Sequence, residues 1–323
     1  MTAVSGRILA GLFVCGLAAA PGSAQQPAPT RMPQTSPTTT QQPGPNINTA
    51  ELLRVPENAP PPKTPPRGPY AVEVFTDPGL PTHTVYQPKA PAGARRKFPV
   101  VAWGNGGCSN DNRSARDFLT TVASHGFFVI APGPKEPTGR GTTKGSVMAD
   151  ALNWAEAESR RGGSPYRGRL DLGRVGLMGY SCGGLQAIEN SADPRVKSVV
   201  LFDSGTFDRG TFMNQMSSAS KESLKTLHSP VAYFIGGPTD VAYPNAEDDF
   251  KRIEGVPVMK ANINTGHAGT FAHPGGGWFA EVGSAWLKWT LNGDKAAGSY
   301  FKGKSCKLCH DPVWIVERKN FGS

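Results

Sequence analysis

The chain has 323 residues, of which 38% are hydrophobic and 9% are aromatic, and its formal net charge at pH 7 is +9. A chain of this length and composition can bury a sizeable apolar core, which excludes a wholly disordered or fibrous protein. The basic residues form short clusters such as Arg95-Arg96-Lys97 rather than a long run. The charge therefore indicates a solvated basic surface, and we expect no nucleic acid partner.

The first segment, Met1–Ala24, has the layout of a secretory signal peptide. Arg7 precedes the apolar run Ile8–Ala20, and the small residues Gly22-Ser23-Ala24 follow it. The apolar run is shorter than the roughly 20 residues that a membrane-spanning helix needs. We expect cleavage after Ala24 and an exported protein, periplasmic or extracellular, that does not span the membrane.

A proline-rich segment follows the leader. Residues 25–69 contain 13 of the 30 prolines and are also rich in Thr and Gln. Such a segment has too little apolar surface to form a core, so it is predicted to be a disordered tether. The remaining residues, 70–323, are predicted to form a single folded domain.

From Tyr70 onward, apolar β-branched runs alternate with amphipathic segments. The predicted strands are Tyr70–Thr76, Thr82–Gln87, Pro99–Trp103, Phe127–Ala131, Val175–Met178, Val196–Phe202, Val231–Gly236 and Val256–Ile263. The predicted helices are Ser114–Ser124, Lys144–Arg160, Gly184–Asn190, Thr211–Leu227, Asn245–Ile253 and Trp278–Leu291. The first two strands can form a hairpin, and the later alternation predicts an α/β fold with a mainly parallel eight-stranded sheet and helices on both faces. Ligands bind beyond the carboxyl ends of the strands in such sheets.

The strongest motif lies after the strand Val175–Met178, where Gly179-Tyr180-Ser181-Cys182-Gly183 matches Gly-x-Ser-x-Gly. This pattern between a strand and a helix is typical of a nucleophile elbow, a tight turn that lifts the serine hydroxyl clear of the sheet. The turn leaves no room for side chains two positions on either side, and glycine occupies both positions. Ser181 is therefore the candidate nucleophile.

With this motif between a strand and a helix, the chain resembles the α/β-hydrolase superfamily of serine esterases. The resemblance covers roughly residues 70–300. Within the superfamily it is most similar to the secreted esterases without a cap domain that group around dienelactone hydrolases, chlorophyllases and polyester hydrolases. The resemblance implies an α/β-hydrolase fold, ester hydrolysis through an acyl-enzyme, and neither metal nor cofactor.

A serine hydroxyl needs a neighbouring imidazole to take its proton, and the imidazole must be oriented by a carboxylate. The histidines after Ser181 are His228, His267, His273 and His310. His267 follows the last predicted strand, where the resemblance places the catalytic histidine. We therefore predict His267 as the base, with His273 as its substitute.

The superfamily order of nucleophile, acid and histidine places the acid between Ser181 and His267. Asp240 lies in the loop after the strand Val231–Gly236, which is the commoner arrangement in the superfamily, and is the first choice. Asp203 is the rival, because it ends the strand Val196–Phe202 and some family members carry the acid there. Asp248 and Asp249 fall inside a helical pattern and are expected at the surface.

Acyl transfer also needs two N–H donors for the developing oxyanion. One is expected from the backbone of Cys182, at a helix N-terminus, where the helix dipole favours negative charge. The other is expected from the loop Gly104-Asn105-Gly106-Gly107-Cys108, where the resemblance assigns Gly107. Asn105 stands where the family's loop usually has a histidine.

Only residues 203–230 separate two successive predicted strands at the usual position of a cap, which leaves room for one helix and no large cap domain. An open site suits bulky or polymeric esters. Its apolar walls are predicted to include Trp103, Tyr180 and Phe271, with Trp278 nearby. Each of these aromatic residues also fits a role in core packing.

Four cysteines remain after the leader: Cys108, Cys182, Cys306 and Cys309. An even number in an exported protein favours disulfides, and Cys306–Cys309 is predicted to be one. Cys108 and Cys182 flank the two oxyanion donors, so they are predicted to form either a second disulfide or two buried thiols. Zinc would need two more ligands near Cys306, and the sequence offers no obvious pair.

The sequence Cys306-Lys307-Leu308-Cys309-His310 also matches the attachment motif of c-type haem. The short tail after His310 contains neither Met nor His and cannot form a cytochrome fold. The favoured hypothesis is therefore a secreted serine carboxylic-ester hydrolase. A peptidase or an acyltransferase with the same triad is the alternative among enzymes, and the haem protein and a non-catalytic binding protein are the alternatives in other classes.

Overall fold

A computed structural model describes residues 59–91, 96–211 and 215–321. The predicted leader and residues 25–58 of the predicted tether lie outside these ranges. The strands are β1 (Val72–Phe75), β2 (His83–Pro88), β3 (Phe98–Gly104), β4 (Phe128–Pro132), β5 (Leu170–Tyr180), β6 (Val196–Phe202), β7 (Val231–Ile235), β8 (Val258–Asn262) and β9 (Ile315–Lys319). The helices are α1 (Arg116–Ser124), α2 (Val147–Arg160), α3 (Cys182–Glu189), α4 (Tyr243–Arg252), α5 (Gly277–Asn292), α6 (Lys295–Gly298) and α7 (Lys307–His310).

The strands form one sheet in the order β1-β2-β4-β3-β5-β6-β7-β8-β9. Pairing is parallel from β4 through β3 to β8 and antiparallel at the two ends of the sheet. This arrangement confirms the predicted α/β-hydrolase fold and the hairpin formed by the first two strands. The carboxyl ends of β5, β6, β7 and β8 meet at one edge, where the loops that follow them lie side by side.

Each face of the sheet has its own apolar core, because neighbouring residues of a strand point to opposite faces. In β3, Val100 and Ala102 pack with helices α2, α3 and α4, whereas Val101 and Trp103 pack with α1 and α5. Both faces are covered, so the central strands are apolar along nearly their whole length. The sheet is therefore a rigid base for the loops at its edge.

The structure differs from the prediction at the carboxyl end of the chain, where β9 adds a ninth strand. Its sequence, Ile-Val-Glu-Arg-Lys, is too charged to read as a core strand. The strand lies at the edge of the sheet, where charged side chains are tolerated and discourage pairing with other chains. The register places Glu317 opposite Lys260 of β8.

The predicted helix Thr211–Leu227 was wrong in its described part, which contains only the short 3-10 helix Lys221–Thr226. Serines 217, 218, 220 and 223 explain the difference, because a serine hydroxyl competes for local hydrogen bonds and disfavours a helix interior. Ser217 Oγ donates to Glu189, and Ser220 caps the 3-10 helix. No large insertion covers the sheet edge between residues 203 and 230 in the part that the structure describes.

The structure also differs from the sequence-based prediction for part of the tether and for Asp249. Residues 59–69 of the predicted tether pack on the domain, since Pro60 O accepts the indole N–H of Trp278 and Gly68 N donates to Ser124 Oγ. Asp249 was predicted at the surface, but it is fully buried in α4, where it pairs with Lys221 at 2.7 Å. The buried partner explains how the fold tolerates a carboxylate there.

Within the described ranges, none of the helices is both long and apolar enough to cross a membrane.

Candidate active site

Ser181 lies in a sharp turn between β5 and α3, with φ 51° and ψ −121°. A non-glycine residue with positive φ is uncommon and is tolerated only where its surroundings hold it. Here Ser181 N donates to Phe202 O at 2.9 Å, and Ser204 Oγ donates to Ser181 O at 2.8 Å. A Cβ atom at Gly179 would collide with the backbone of Gly183, so the turn needs glycine there.

His267 lies in the loop after β8, and its Nε2 atom is 2.9 Å from Ser181 Oγ. The loop is anchored to the end of β7, because the amides of Thr265 and Gly266 both donate to Gly236 O. On the other side, the Tyr180 hydroxyl donates to the carbonyl of His267 at 2.7 Å. The imidazole is thus held from two directions, and its side chain keeps 31% of its surface exposed at the edge of the sheet.

Asp240 follows β7, and its Oδ1 atom is 2.6 Å from His267 Nδ1. The amide of Ala242 also donates to Asp240 Oδ1, at 2.8 Å, and the carboxylate is buried. Asp203, the rival acid, instead accepts a hydrogen bond from Gly236 N at 2.7 Å. The structure therefore brings Asp240 rather than Asp203 to the imidazole.

The other histidines considered as bases lie elsewhere. His228 and His310 each have a ring nitrogen within hydrogen-bonding distance of a backbone carbonyl, of Val196 and Lys304 respectively. His273 lies in the turn before α5, where its backbone carbonyl accepts the amide of Gly276. Among the described histidines, only His267 has a hydrogen bond to Ser181.

The backbone amides of Gly107 and Cys182 are the predicted oxyanion donors. Cys182 is the first residue of α3, and Gly107 lies in the 3-10 helix Gly106–Cys108 after β3 with φ 61°. Neither amide donates a hydrogen bond to another described residue. A disulfide joins the adjacent residue Cys108 to Cys182, with 5.1 Å between their Cα atoms, so the two loops are covalently tied.

Asn105 is the main polar support of the loop that carries Gly107. Its Oδ1 atom accepts the indole N–H of Trp103 at 2.7 Å, and its Nδ2 atom donates to Ser109 O and Pro132 O. These bonds join the beginning and the end of the loop to the neighbouring strand β4. The buried Asn105 thus supports the loop at the position where the resembling family has a histidine.

A cavity of about 150 Å³ opens beside Ser181 and His267. Leu185, Phe207 and Val241 supply much of its apolar wall, and Val241 is 73% exposed. The sequence did not single out these three residues, because Phe207 and Val241 reach the cavity from separate loops with no motif of their own. The lining indicates a site for an apolar group next to the nucleophile.

The predicted aromatic walls differ in position. Trp103 is only 1% exposed and packs against Phe118 and Phe202, so it belongs to the core beneath the site. Tyr180 and Phe271 are half-buried, with their ring centroids 4.8 Å apart. Burial, followed by the neighbouring carboxyl groups of Asp203 and Asp240, raises the pKa of Tyr180 to about 12, so its hydroxyl stays a hydrogen-bond donor at neutral pH.

The second disulfide joins Cys306 to Cys309 at the start of α7. Both sulfur atoms that a c-type haem would use are therefore bonded to each other. Trp314, just beyond them, is buried with its ring 6.0 Å from Phe234, as expected for a tail held on the domain. In the described part of the chain, His, Cys, Asp and Glu side chains form no group of three or more with the spacing of metal ligands.

Comparison with known protein families supports the assignment of the chain as a serine ester hydrolase. A family model described as PET hydrolase-like (PETase) matches residues 50–226, just over half of the chain. The matched segment includes Ser181, Cys182 and Gly107 and ends before Asp240 and His267. No curated protein matches the chain. The chain belongs to the PET hydrolase-like family, and it is a serine carboxylic-ester hydrolase with the α/β-hydrolase fold.

Proposed function

We propose that the protein is a secreted enzyme that hydrolyses carboxylic esters through an acyl-enzyme formed on Ser181. The observation that carries the proposal is the continuous chain of hydrogen bonds from Ser181 Oγ through His267 to Asp240, with distances of 2.9 and 2.6 Å. Both distances are within the range for proton transfer and orientation in a Ser-His-Asp triad. His267 and Asp240 lie outside the matched family segment, so their roles depend on this geometry.

In the proposed reaction, Ser181 Oγ attacks the ester carbonyl while His267 Nε2 takes its proton. Asp240 accepts a hydrogen bond from the Nδ1–H group of His267, which selects the tautomer whose Nε2 atom is a free base. The protonated imidazole then gives its proton to the departing alcohol, and the acyl group remains on Ser181. Water activated by the same imidazole hydrolyses the acyl-enzyme and restores the hydroxyl.

The amides of Gly107 and Cys182 are proposed to bind the oxyanion of the tetrahedral intermediate. Neither amide has an acceptor among the described residues, and Cys182 adds the positive end of the α3 dipole. A single donor of this kind contributes roughly 3 kcal/mol to transition-state stabilisation. The disulfide between Cys108 and Cys182 limits how far the two donors can separate.

The substrate is proposed to be a bulky or polymeric ester. The cavity beside Ser181 takes one apolar group, and Val241 at its rim is exposed. The segment between β6 and β7 adds no large cap over the site in its described part. The family is described as PET hydrolase-like, so an aromatic polyester is the first polymer to test.

Export is proposed from the leader motif together with the two disulfides. Disulfides persist in oxidising compartments such as the bacterial periplasm or the extracellular space. Expression of the full chain in an exporting host tests this proposal. Recovery of a protein that begins after about Ala24, outside the cytoplasm, is the expected result.

The Ser181→Ala variant tests the nucleophile, with Ser218→Ala at an exposed serine as the matched control. On a short p-nitrophenyl ester, Ser181→Ala is expected to lower kcat by about 1,000-fold or more, while the control retains full activity. A fluorophosphonate should label the wild type at Ser181 and leave the variant unlabelled. Full activity in Ser181→Ala would overturn the assignment.

The same design tests the other two residues and the reaction class. His267→Ala and Asp240→Asn are expected to lower kcat strongly, whereas His228→Ala is the control at an exposed histidine. A parallel p-nitroanilide substrate should react far more slowly than the ester. Faster cleavage of the amide, or transfer to an added alcohol in preference to water, would instead indicate a peptidase or an acyltransferase.

A further inference from the structure

Asp203 is a buried carboxyl group next to the proposed triad that has no role in the mechanism above. It lies immediately after β6, is fully buried and has a positive φ of 44°. Its own amide donates to Phe234 O at 2.9 Å, which anchors this uncommon backbone conformation to β7. Positive φ at a residue other than glycine is concentrated at functional sites.

Asp203 and Asp240 share one hydrogen-bond donor. The amide of Gly236 lies 2.7 Å from Asp203 Oδ1 and 3.3 Å from Asp240 Oδ2. The two carboxyl groups therefore converge on the same amide at the end of β7. Asp240 has further donors in the Ala242 amide and His267 Nδ1, whereas Asp203 Oδ2 is buried and has no partner.

The surroundings do not favour two negative charges at this position. The titratable groups that face the pair are Tyr180, which stays neutral, and His267 on the far side of Asp240. In the described ranges, no Lys or Arg forms an ion pair with either carboxyl group. Two adjacent carboxylates in a buried site cannot both ionise at ordinary pH, so one retains its proton.

The hydrogen-bond donors around Asp203 and Asp240 determine which of the two carboxyl groups holds the proton. Asp240 accepts bonds from three groups, so neither of its oxygens lacks a donor. Asp203 accepts one amide and has a second oxygen with no donor, which is the oxygen that a proton would occupy. Burial, followed by the charge of Asp240, raises the pKa of Asp203 well above its usual range, in agreement with this assignment.

We propose that Asp203 is a protonated carboxylic acid in the resting enzyme and that its Oδ2–H group donates to Asp240 Oδ2. This proposal rests on the proposed role of Asp240. Asp203 then acts as a positioning residue: it fixes the carboxylate that orients His267 and does not touch the substrate. The pair carries one negative charge instead of two, which leaves the imidazole facing a single charge.

Three variants test the proposal through kinetics: Asp203→Asn, Asp203→Ala and, as the matched control, Asp208→Asn at an exposed aspartate. Asparagine is neutral and keeps a donor toward Asp240, so kcat should stay close to the wild type. The acid limb of the kcat/KM profile should keep its midpoint. Alanine removes the donor, so kcat should fall about 10-fold or more with KM unchanged.

An ionised Asp203 predicts a different result for the Asn variant. If Asp203 were ionised, Asp203→Asn would remove a negative charge near the imidazole and move the acid limb to lower pH. That shift, absent from Asp208→Asn, would overturn the proposal. Equal losses in the Asn and Ala variants would overturn it as well, because rescue by the neutral donor is its central expectation.

Infrared difference spectroscopy reads the proton directly and does not depend on activity. The wild type minus Asp203→Asn at neutral pH should contain a protonated carboxyl band, also when both proteins carry Ser181→Ala. Absence of this band in folded samples would refute the acid pair and leave the triad assignment intact. Conversely, a positive band with an active Ser181→Ala variant would refute the proposed nucleophile and leave the acid pair intact.

Discussion

Cys108 and Cys182 are bonded to each other directly beside the two amides that are proposed to bind the oxyanion. Cys182 carries one of these amides itself, and Cys108 follows Gly107, which carries the other. Both cysteines are buried, and 74 positions separate them in the sequence. The bond therefore connects the loop after β3 to the N-terminus of α3 at the point where the proposed oxyanion hole needs a fixed width.

Removal of this disulfide is expected to affect catalysis more than binding. The Cys108→Ala/Cys182→Ala variant should lower kcat by about 10-fold or more and leave KM close to the wild type, since the donors act mainly in the transition state. The loss of a bond that closes a loop of this length should also lower the free energy of unfolding by about 2–4 kcal/mol. Kinetics must therefore be measured well below the unfolding temperature.

The Cys306→Ala/Cys309→Ala variant is the matched control, because that disulfide closes only a short turn far along the chain from the site. Its kcat should equal that of the wild type. Binding of a boronic acid transition-state analogue should weaken in the first variant alone. An unchanged kcat in the variant without Cys108 and Cys182 would show that the bond has no part in the oxyanion hole.

Gly183 is the contact point between the elbow and the oxyanion loop. A Cβ atom at this position would lie inside the van der Waals distance of the carbonyl of Gly104, which is backbone and cannot move away. Gly183→Ala is therefore expected to push α3 from β3 and to lower kcat/KM by about 100-fold. The measurement is ester hydrolysis together with circular dichroism of the folded variant.

Gly162→Ala serves as the control, because open space surrounds that glycine and its φ is not in the left-handed region. It should keep full activity and gain or lose little stability. Wild-type activity in Gly183→Ala would mean that the close approach of the two loops does not matter for the reaction.

Lys260 provides the charge that holds β9 and α4 together. It is fully buried in β8 and forms ion pairs with Glu247 of α4 and Glu317 of β9. Lys260→Ala leaves the buried Glu247 without its partner, so the free energy of unfolding should fall by about 3–5 kcal/mol. Urea unfolding measures the change.

The double variant Lys260→Met/Glu247→Leu removes both buried charges and should recover most of that loss. The comparison separates the cost of an unpaired charge from the value of the pair itself. A loss below about 1 kcal/mol in Lys260→Ala would contradict the buried position of the ion pair.

His83 makes stability depend on pH. It is 1% exposed, its Nε2 atom is 3.0 Å from Val147 O, and burial lowers its pKa below the usual 6.5. At mildly acidic pH the unfolded chain therefore binds more protons than the folded protein. The free energy of unfolding decreases as the pH falls from about 6.5, the unfolded pKa, to the lower pKa of the folded state. Burial also lowers the pKa of the half-buried His125, so it contributes with the same sign.

His83→Gln is expected to flatten the decrease in unfolding free energy between neutral and mildly acidic pH, measured by urea unfolding at several pH values. The slope should diminish without vanishing, because His125 remains. His228→Gln, at an exposed histidine, should keep the wild-type slope. A wild-type slope in His83→Gln would contradict the assignment.

Much of the fold and the nucleophile follows from local patterns. Alternating strands and helices, together with Gly179-Tyr180-Ser181-Cys182-Gly183, predict the sheet, its parallel direction and the elbow, because backbone geometry depends on residues close in sequence. The prediction failed at Thr211–Leu227, where serine side chains compete with helix formation. It also omitted β9, whose charges are compatible with a strand only at the edge of the sheet.

The composition and the motifs by themselves predicted an α/β fold and a serine at a strand-to-helix turn, and the family resemblance added the candidates His267, Asp240 and Asp203. Which aspartate contacts His267, the pairing of Cys108 with Cys182 and the burial of Trp103 and Asp249 were decided only by the tertiary structure. The aspartate contact depends on the register between β6 and β7 and on the loops that follow them, whereas the disulfide depends on the register between β3 and β5. The burial of Trp103 and Asp249 depends on the helices and strands that pack against them. Contacts between residues so distant in sequence are set by the packing of the whole domain, and no local pattern encodes them.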